Sequence, residues 1–181
     1  MSRALYIVRH GESEYNAKGL LAGITDIPLT DTGREQARQA GAQLAQLGIT
    51  RIVSSPLVRA YETARIIADT IGFDPEAIIV DERLHERNFG ELEGTVWSER
   101  SLVGVAGLEP AESVLSRAQA MLEYDASLAT TERVLFVAHA SLIRAFMQLV
   151  DPETKHFGDT TMRMPNARPL QLRPVFRELP E

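Results

Sequence analysis

The sequence predicts an α/β fold in which short apolar strands alternate with helices around a largely parallel sheet. Four short runs rich in β-branched or aromatic residues are separated by stretches with the spacing of amphipathic helices. A strand followed by a helix and then another strand is typical of parallel sheets that have helices packed on their faces. No repeat, low-complexity tract or linker interrupts this pattern.

The composition is that of a globular protein with its own core. The chain has 181 residues, of which 44% are hydrophobic and 24% charged, so burial can stabilise it without disulfides. It contains no cysteine, which excludes disulfides, thiolate nucleophiles and cysteine-ligated zinc. The net charge of −6 argues against nucleic acid or an anionic membrane as a partner, although one locally basic pocket remains compatible with it. We expect a single domain over residues 1–181.

The beginning of the chain contains no segment typical of targeting. The first apolar run, residues 5–8, ends at Arg9 and is much shorter than the roughly 7–15 apolar residues of a signal peptide. It is also far shorter than the roughly 20 residues of a spanning helix. We therefore expect a cytoplasmic protein.

The predicted elements follow one another along the chain. Thr30 is a favourable N-cap for the first long helix, which should end before Gly48, and Pro56 and Gly72 delimit the second. The remaining predictions are strands at 5–8, 52–53, 78–80 and 134–137, helices at 112–128 and 142–150, and two short strands around Pro165-Asn166 within 161–174. Residues 85–109 contain four glycines and no clear period, which predicts a long irregular connection of the kind that often carries function.

Polar residues follow the ends of all four predicted strands. Arg9 and His10 follow the first strand, Arg59 lies in the helix after the second, Glu86 follows the third and His139 the fourth. Each of them alone is more often a surface or structural residue. Ligands of parallel α/β sheets bind beyond the carboxyl ends of the strands, so their joint placement predicts one site at that edge.

These residue types suit phosphoryl transfer. A phosphate dianion is held best by forked guanidinium groups, and the chain has only two lysines, Lys18 and Lys155, beside its many arginines. A neutral imidazole can attack phosphorus and form a covalent intermediate, and a nearby carboxylic acid can protonate the leaving oxygen. Positioning and charge neutralisation then account for most of the catalysis.

Metal binding by the histidines is the main alternative. The four histidines, His10, His85, His139 and His156, show neither H-x-x-x-H nor H-E-x-x-H spacing, and two arginines beside them would repel a cation. We therefore expect no metal site. The chain also lacks the phosphate-binding motifs G-x-x-x-x-G-K-[ST] and G-x-G-x-x-G, so no nucleotide or dinucleotide cofactor is indicated.

Five ordered sequence blocks resemble the histidine phosphatase superfamily, the phosphoglycerate mutase-like proteins. They are Arg9-His10-Gly11-Glu12-Ser13 with Asn16; Asp26-Ile27-Pro28-Leu29-Thr30 with Gly33 and Gln36-Ala37; Ser54-Ser55-Pro56-Leu57-Val58-Arg59-Ala60 with Thr63-Ala64; Leu84-His85-Glu86 with Gly90, Glu93 and Gly94; and Val137-Ala138-His139. One R-H-G is common by chance, whereas five blocks in order across residues 5–144 are not.

The resemblance implies a role for each matching residue. His10 would be the phosphorylated nucleophile and Glu86 the general acid, then base. Arg9, Arg59 and His139 would hold the phosphoryl oxygens, and the pocket would be completed by Asn16, the backbone around Gly23 and position 140. The fold implied is a three-layer α/β/α sandwich with a mixed, mostly parallel six-stranded sheet. No metal or organic cofactor is implied.

Departures from the family pattern favour a phosphatase over a mutase. The segment 95–111 is short and contains one basic residue, Arg100. A mutase needs basic residues to hold a second anionic group. Position 22 is Ala where relatives tend to have a polar residue, and Phe89 replaces the tyrosine of the mutases' E-R-H-Y. We expect a phosphatase acting on a small phosphate monoester. The alternatives are a phosphoglycerate mutase and a catalytically weak phosphate-binding regulatory protein.

Ala140 is the main argument for a weak enzyme, because glycine usually follows the second histidine. If glycine is needed there for a positive φ, Ala140 stores strain; if it only leaves room, the methyl group crowds the phosphate beside His139. We expect mild crowding, because a strand-to-helix junction often accepts alanine without a positive φ.

Overall fold

The computed structural model describes residues 4–96, 102–151, 164–173 and 177–178, and confirms the α/β class. The strands are β1 (Ala4–Arg9), β2 (Arg51–Ser54), β3 (Ile79–Val80), β4 (Arg133–Ala138), β5 (Pro169–Arg173) and β6 (Arg177–Glu178). The α-helices are α1 (Glu14–Ala17), α2 (Asp31–Leu44), α3 (Val58–Ile71), α4 (Ala111–Ser127) and α5 (Ala140–Val150). Short 3-10 turns lie at Pro75–Ala77, Glu82–Leu84 and Gly90–Leu92.

The sheet is mixed and mostly parallel, as the resemblance implies. Its strand order is β3-β2-β4-β1-β5-β6. The first four strands in this order are parallel, and β5 and β6 add antiparallel pairs at the β1 side. Arg9 pairs with Ala138, and Ser54 pairs with Val137. The carboxyl ends of β1, β4 and β2 are therefore level with one another.

Helices cover both faces of the sheet and make the three layers. Side chains alternate along β1, so Leu5 and Ile7 join the core under α4 and α5, whereas Tyr6 and Val8 join the core under α2 and α3. All four are buried. Burial on both faces explains why these strands are continuous apolar runs in the sequence.

The helix ends follow the local sequence signals, although α3 begins at Val58, two residues after Pro56, and α5 begins early. Thr30 caps α2 by accepting a hydrogen bond from Gly33 N at 3.0 Å, and Gly72 ends α3 in the left-handed conformation, both as predicted. The helix α5 begins at Ala140, two residues earlier than predicted, directly after His139. None of the helices in the described ranges combines the length and the apolar character that crossing a membrane requires.

The second of the two short strands predicted around Pro165-Asn166 is confirmed by β5. A turn at this point leads into β5, whose partners are β1 and β6. Residues 161–163, which belong to the first predicted strand, lie outside the described residues. The turn is fixed by Ala167, whose N–H donates to Arg9 O at 3.0 Å and whose φ is +49°. Contact with the end of β1 therefore fixes the turn that leads into β5.

Candidate active site

The parallel register of β1 and β4 brings two histidines together at the edge of the sheet. His10 N donates to Ala138 O at 3.0 Å, which continues the pairing beyond the strands. The ring of His10 then lies beside that of His139, with centroids 5.0 Å apart and planes tilted by 54°. Both rings are buried. Sequence positions 129 residues apart thus form one side of a pocket.

His10 is held as a neutral imidazole with a free ε nitrogen. Its Nδ1 lies 2.7 Å from Gly11 O, and since a carbonyl can only accept, Nδ1 carries the proton. Burial, reinforced by the charges of Arg9 and Arg59, holds the pKa of His10 well below its ordinary value of 6.5. The Nε2 lone pair is therefore available for nucleophilic attack.

His139 can present a proton to the pocket. Its Nε2 lies 2.7 Å from Ser55 Oγ, which already accepts a hydrogen bond from Leu57 N at 3.3 Å. The Ser55 hydroxyl can therefore donate to Nε2, leaving the proton of the neutral ring on Nδ1. Burial, with the charge of Arg59 as the next cause, holds the pKa of His139 well below 6.5.

Arg59 lies in the first turn of α3 and is fully buried. Its Nη1 donates to Thr25 O at 2.8 Å and its Nη2 to Gly23 O at 2.6 Å. Burial lowers the pKa of Arg59, and the negative charge of Glu86 opposes this shift. Two backbone carbonyls thus fix the guanidinium while other N–H groups remain for a ligand.

The loop that holds Arg59 is itself held by Glu93. The carboxylate of Glu93 accepts from Ile24 N and Thr25 N, both at 2.9 Å, from Thr25 Oγ1 at 2.5 Å and from Phe89 N at 3.0 Å. Gly23 has a φ of +52°, and a Cβ there would lie 1.9 Å from Glu93 Oε1. The loop therefore needs glycine at position 23 and a carboxylate at position 93, a role that the sequence motif did not reveal.

Arg9 is fixed by a segment near the end of the chain. Its Nη1 donates to the carbonyl of Met164, and its backbone carbonyl accepts from Ala167. Burial is the main cause of its lowered pKa of about 10; Glu86 opposes the shift, whereas Arg144 and Arg59 add to it. Three charged side chains of the predicted site therefore act on one another.

Asn166 is a site residue that sequence reasoning missed. Its Nδ2 donates to His10 O at 3.0 Å and to Asn16 Oδ1 at 3.2 Å. Asn16 Oδ1 also accepts from Ser13 N at 3.1 Å and closes the capping box of α1. Asparagine is common in turns, so its presence there does not signal this role. The contact also joins residues 156 positions apart, which local spacing does not reveal.

Glu86 lies at the amino end of α5. Its carboxylate accepts from Ser141 N at 3.2 and 3.3 Å and from Arg87 N at 2.8 Å. Only 8% of Glu86 is exposed. Glu86, which follows the third predicted strand, therefore lies in the same site as Arg9 and Arg59. Its negative charge acts to raise the pKa values of both arginines.

Position 140 takes a helical conformation, as expected for a strand-to-helix junction that accepts alanine without a positive φ. Ala140 is the first residue of α5, and Ala167 is the non-glycine residue with positive φ in the described ranges. The strained alternative is thereby removed, and crowding remains a prediction. The backbone carbonyl of Gly23 binds Arg59, and its predicted contact with substrate stays a prediction.

Three buried donors define what the pocket can bind. Arg9 Nε, Arg59 Nε and His139 Nδ1 have no hydrogen-bond partner within the part of the chain that the structure describes. An unsatisfied buried donor costs about 1–3 kcal/mol, so an oxyanion that accepts hydrogen bonds from these donors would be stabilised. In the same ranges, no group of three His, Asp or Glu side chains could hold a metal ion. The arrangement suits a phosphoryl group.

Known proteins share both the sequence blocks and the fold. Over 89 residues, the chain is 49% identical to the probable phosphoglycerate mutase GpmB of Enterobacter sp. (strain 638), covering 49% of this chain and 40% of that relative. The match therefore spans about two fifths of the length of this curated relative.

Two solved structures match almost the whole chain. The mycobacterial glucosyl-3-phosphoglycerate phosphatase in complex with VO3 has a TM-score of 0.79 at 26% identity, covering 98% of this chain and 97% of that one. Bacillus stearothermophilus YhfR has a TM-score of 0.83 at 25% identity, covering 99% and 96%. The sequence profile of the histidine phosphatase superfamily (branch 1) matches residues 5–169. The chain belongs to the histidine phosphatase superfamily.

Proposed function

We propose that the protein is a metal-independent phosphatase that hydrolyses a small phosphate monoester through a phosphohistidine on His10. The observation that carries the proposal is the combination of the neutral His10 ring with three buried donors on Arg9, Arg59 and His139 that have no partner among the described residues. These donors match the oxygens of a phosphoryl group, and the free Nε2 of His10 matches the need for a nucleophile.

The reaction takes two displacements at phosphorus. In the first, His10 Nε2 forms a bond to phosphorus while the ester P–O bond breaks, and the carboxylic acid of Glu86 gives its proton to the leaving oxygen. In the second, the Glu86 carboxylate takes a proton from water, the resulting oxygen attacks phosphorus, and the P–N bond breaks to release phosphate. Arg9, Arg59 and His139 neutralise the oxygens throughout.

A phosphoglycerate mutase is the second candidate, and Arg87 is the observation that favours it. Arg87 follows Glu86 directly, and its Nε donates to Glu109 O at 2.8 Å. Its Nη groups have no hydrogen-bond partner among the described residues, and burial lowers the pKa of its guanidinium. Such a cation could hold the second anionic group that a mutase requires. The name of the curated relative agrees with this alternative.

A rapid-quench experiment with a phosphate ester labelled on phosphorus tests the proposal. We expect label on His10 that is stable in alkali and lost in acid, and inorganic phosphate released without a bisphosphoglycerate primer. His10→Ala, checked by circular dichroism to be folded, should trap no label and lose turnover. Primer-dependent isomerisation would indicate the mutase. Phosphate binding with neither label nor turnover would indicate a regulatory protein.

A further inference from the structure

Two residues outside the five sequence blocks, Glu109 and Arg117, form an ion pair beside the loop that carries Glu86. Arg117 Nε and Nη2 donate to Glu109 Oε1 and Oε2, each at 3.0 Å. The side chain of Arg117 is only 14% exposed and that of Glu109 only 11%. Burial acts to raise the pKa of Glu109, but hydrogen bonds from Arg117 and Ser113 keep it below its ordinary value. The pair is therefore ionised as well as buried.

The pair holds the backbone on both sides of Glu86. On one side, Arg117 Nη1 donates to Arg83 O at 2.7 Å and to His85 O at 3.0 Å. On the other side, Asn88 N donates to Glu109 Oε2 at 3.2 Å, and Glu109 N donates to Asn88 O at 2.8 Å. We call this arrangement of Glu109 and Arg117 the bracket.

The bracket and the start of α5 together hold Glu86 at its backbone and at its carboxylate. Its backbone is held by α4 through the bracket, and its carboxylate is held by Ser141 N at the start of α5. A buried ion pair commonly gives no more stability than apolar residues of the same volume. The hydrogen bonds from the bracket to the backbone of residues 83–88 are thus the feature that an apolar pair could not supply.

We propose that Glu109 and Arg117 are positioning residues that set the Glu86 carboxyl group for proton transfer to the leaving oxygen. This inference rests on the proposed function. Proton transfer requires the heavy atoms to lie within about 2.6–3.2 Å. A misplacement of about 1 Å can cost about 100-fold in rate. Loosening the bracket should therefore impair the step that needs the acid and spare steps that do not.

Leaving-group dependence separates this role from a general loss of structure. An alkyl phosphate needs protonation of its alkoxide, whereas nitrophenolate leaves without it. Arg117→Lys keeps the charge but not the forked bonds, and Glu109→Gln keeps the volume but not the charge. For both, we expect kcat/KM, which reports the first phosphoryl transfer and not hydrolysis of the phosphohistidine, to fall about 10-fold on an alkyl phosphate and less than about 2-fold on nitrophenyl phosphate.

Arg51→Lys is the matched control. Arg51 Nη2 pairs with Glu132 Oε1 at 3.1 Å, and both side chains are partly buried, but the pair lies at the amino ends of the parallel strands, away from the site. This variant should leave the ratio of the two kcat/KM values unchanged, whatever it does to the melting temperature.

A double-mutant cycle with Glu86→Gln completes the test. Glu86→Gln alone should show the same substrate contrast, and adding Arg117→Lys to it should lower the alkyl phosphate rate by less than about 2-fold, because the acid is already lost. An undiminished 10-fold effect in that background, or equal losses on both esters, would overturn the bracket proposal alone. No contrast in Glu86→Gln itself, or no phosphate release by the wild type, would overturn the proposed function and the bracket together.

Discussion

The rings of His10 and His139 lie 5.0 Å apart in a buried pocket that also contains two arginines. Burial and the charges of Arg9 and Arg59 lower the pKa of both rings, so the pocket holds two neutral imidazoles and two guanidinium groups. Glu86 balances part of that positive charge. A bound phosphoryl dianion would balance the remaining positive charge. The charges around His10 and His139 therefore affect both the stability of the fold and the binding of a phosphoryl group.

The two lowered histidine pKa values predict a loss of stability in weak acid. Below pH 6.5 the unfolded chain binds protons at these histidines and the folded chain does not, so the free energy of unfolding falls as the pH drops from 7 to 5.5. Each histidine contributes a slope of up to about 1.4 kcal/mol per pH unit. Urea unfolding across this range should show a shallower slope for His10→Gln and for His139→Gln. An unchanged slope in both would contradict the prediction.

Glu93→Gln should weaken the binding of phosphoryl groups through the loop that carries Arg59. The amide NH2 of glutamine would face N–H donors that the carboxylate now accepts from, and loss of such bonds costs about 1–3 kcal/mol each. We expect the inhibition constant of inorganic phosphate to rise about 10-fold with a lower melting temperature. Glu91→Gln is the control, since Glu91 is exposed in the same turn. Equal effects of the two variants would argue against the loop's role.

Ala140→Gly should bind phosphate more tightly and melt slightly lower. The backbone at position 140 is helical, so glycine relieves no strain there and adds disorder to the unfolded chain, at about 0.5–1 kcal/mol. Removing the methyl group makes room beside His139. Calorimetric titration with phosphate and a thermal melt measure the two effects. Unchanged affinity would show that the methyl does not crowd the site and would remove the argument for a weak enzyme.

Activity should survive exhaustive chelation, because arginines supply the positive charge in the proposed mechanism. Vanadate, which adopts the five-coordinate geometry of the transition state, should inhibit at concentrations well below those of phosphate. Turnover is measured before and after treatment with a chelator and again after adding back divalent ions. A loss that a divalent ion restores would contradict the metal-free mechanism.

The sequence by itself determined the layer structure and much of the site. The apolar runs at β1 and β4 reveal strands buried on both faces, and the helix signals at Thr30 and Gly72 are local. Parallel pairing then brings strand ends together whatever the details, so Arg9, His10 and His139 could be assigned to one edge of the sheet.

Only the tertiary structure decided how those residues are held. Asn166 reaches His10, Glu93 fixes the loop around Arg59, and the bracket encloses Glu86 through bonds between residues far apart in the chain. It also decided that Ala140 is helical and that the strand after the turn at Asn166 pairs with β1. Hydrogen bonds of this kind depend on where distant backbone groups come to lie, and local spacing carries no record of that.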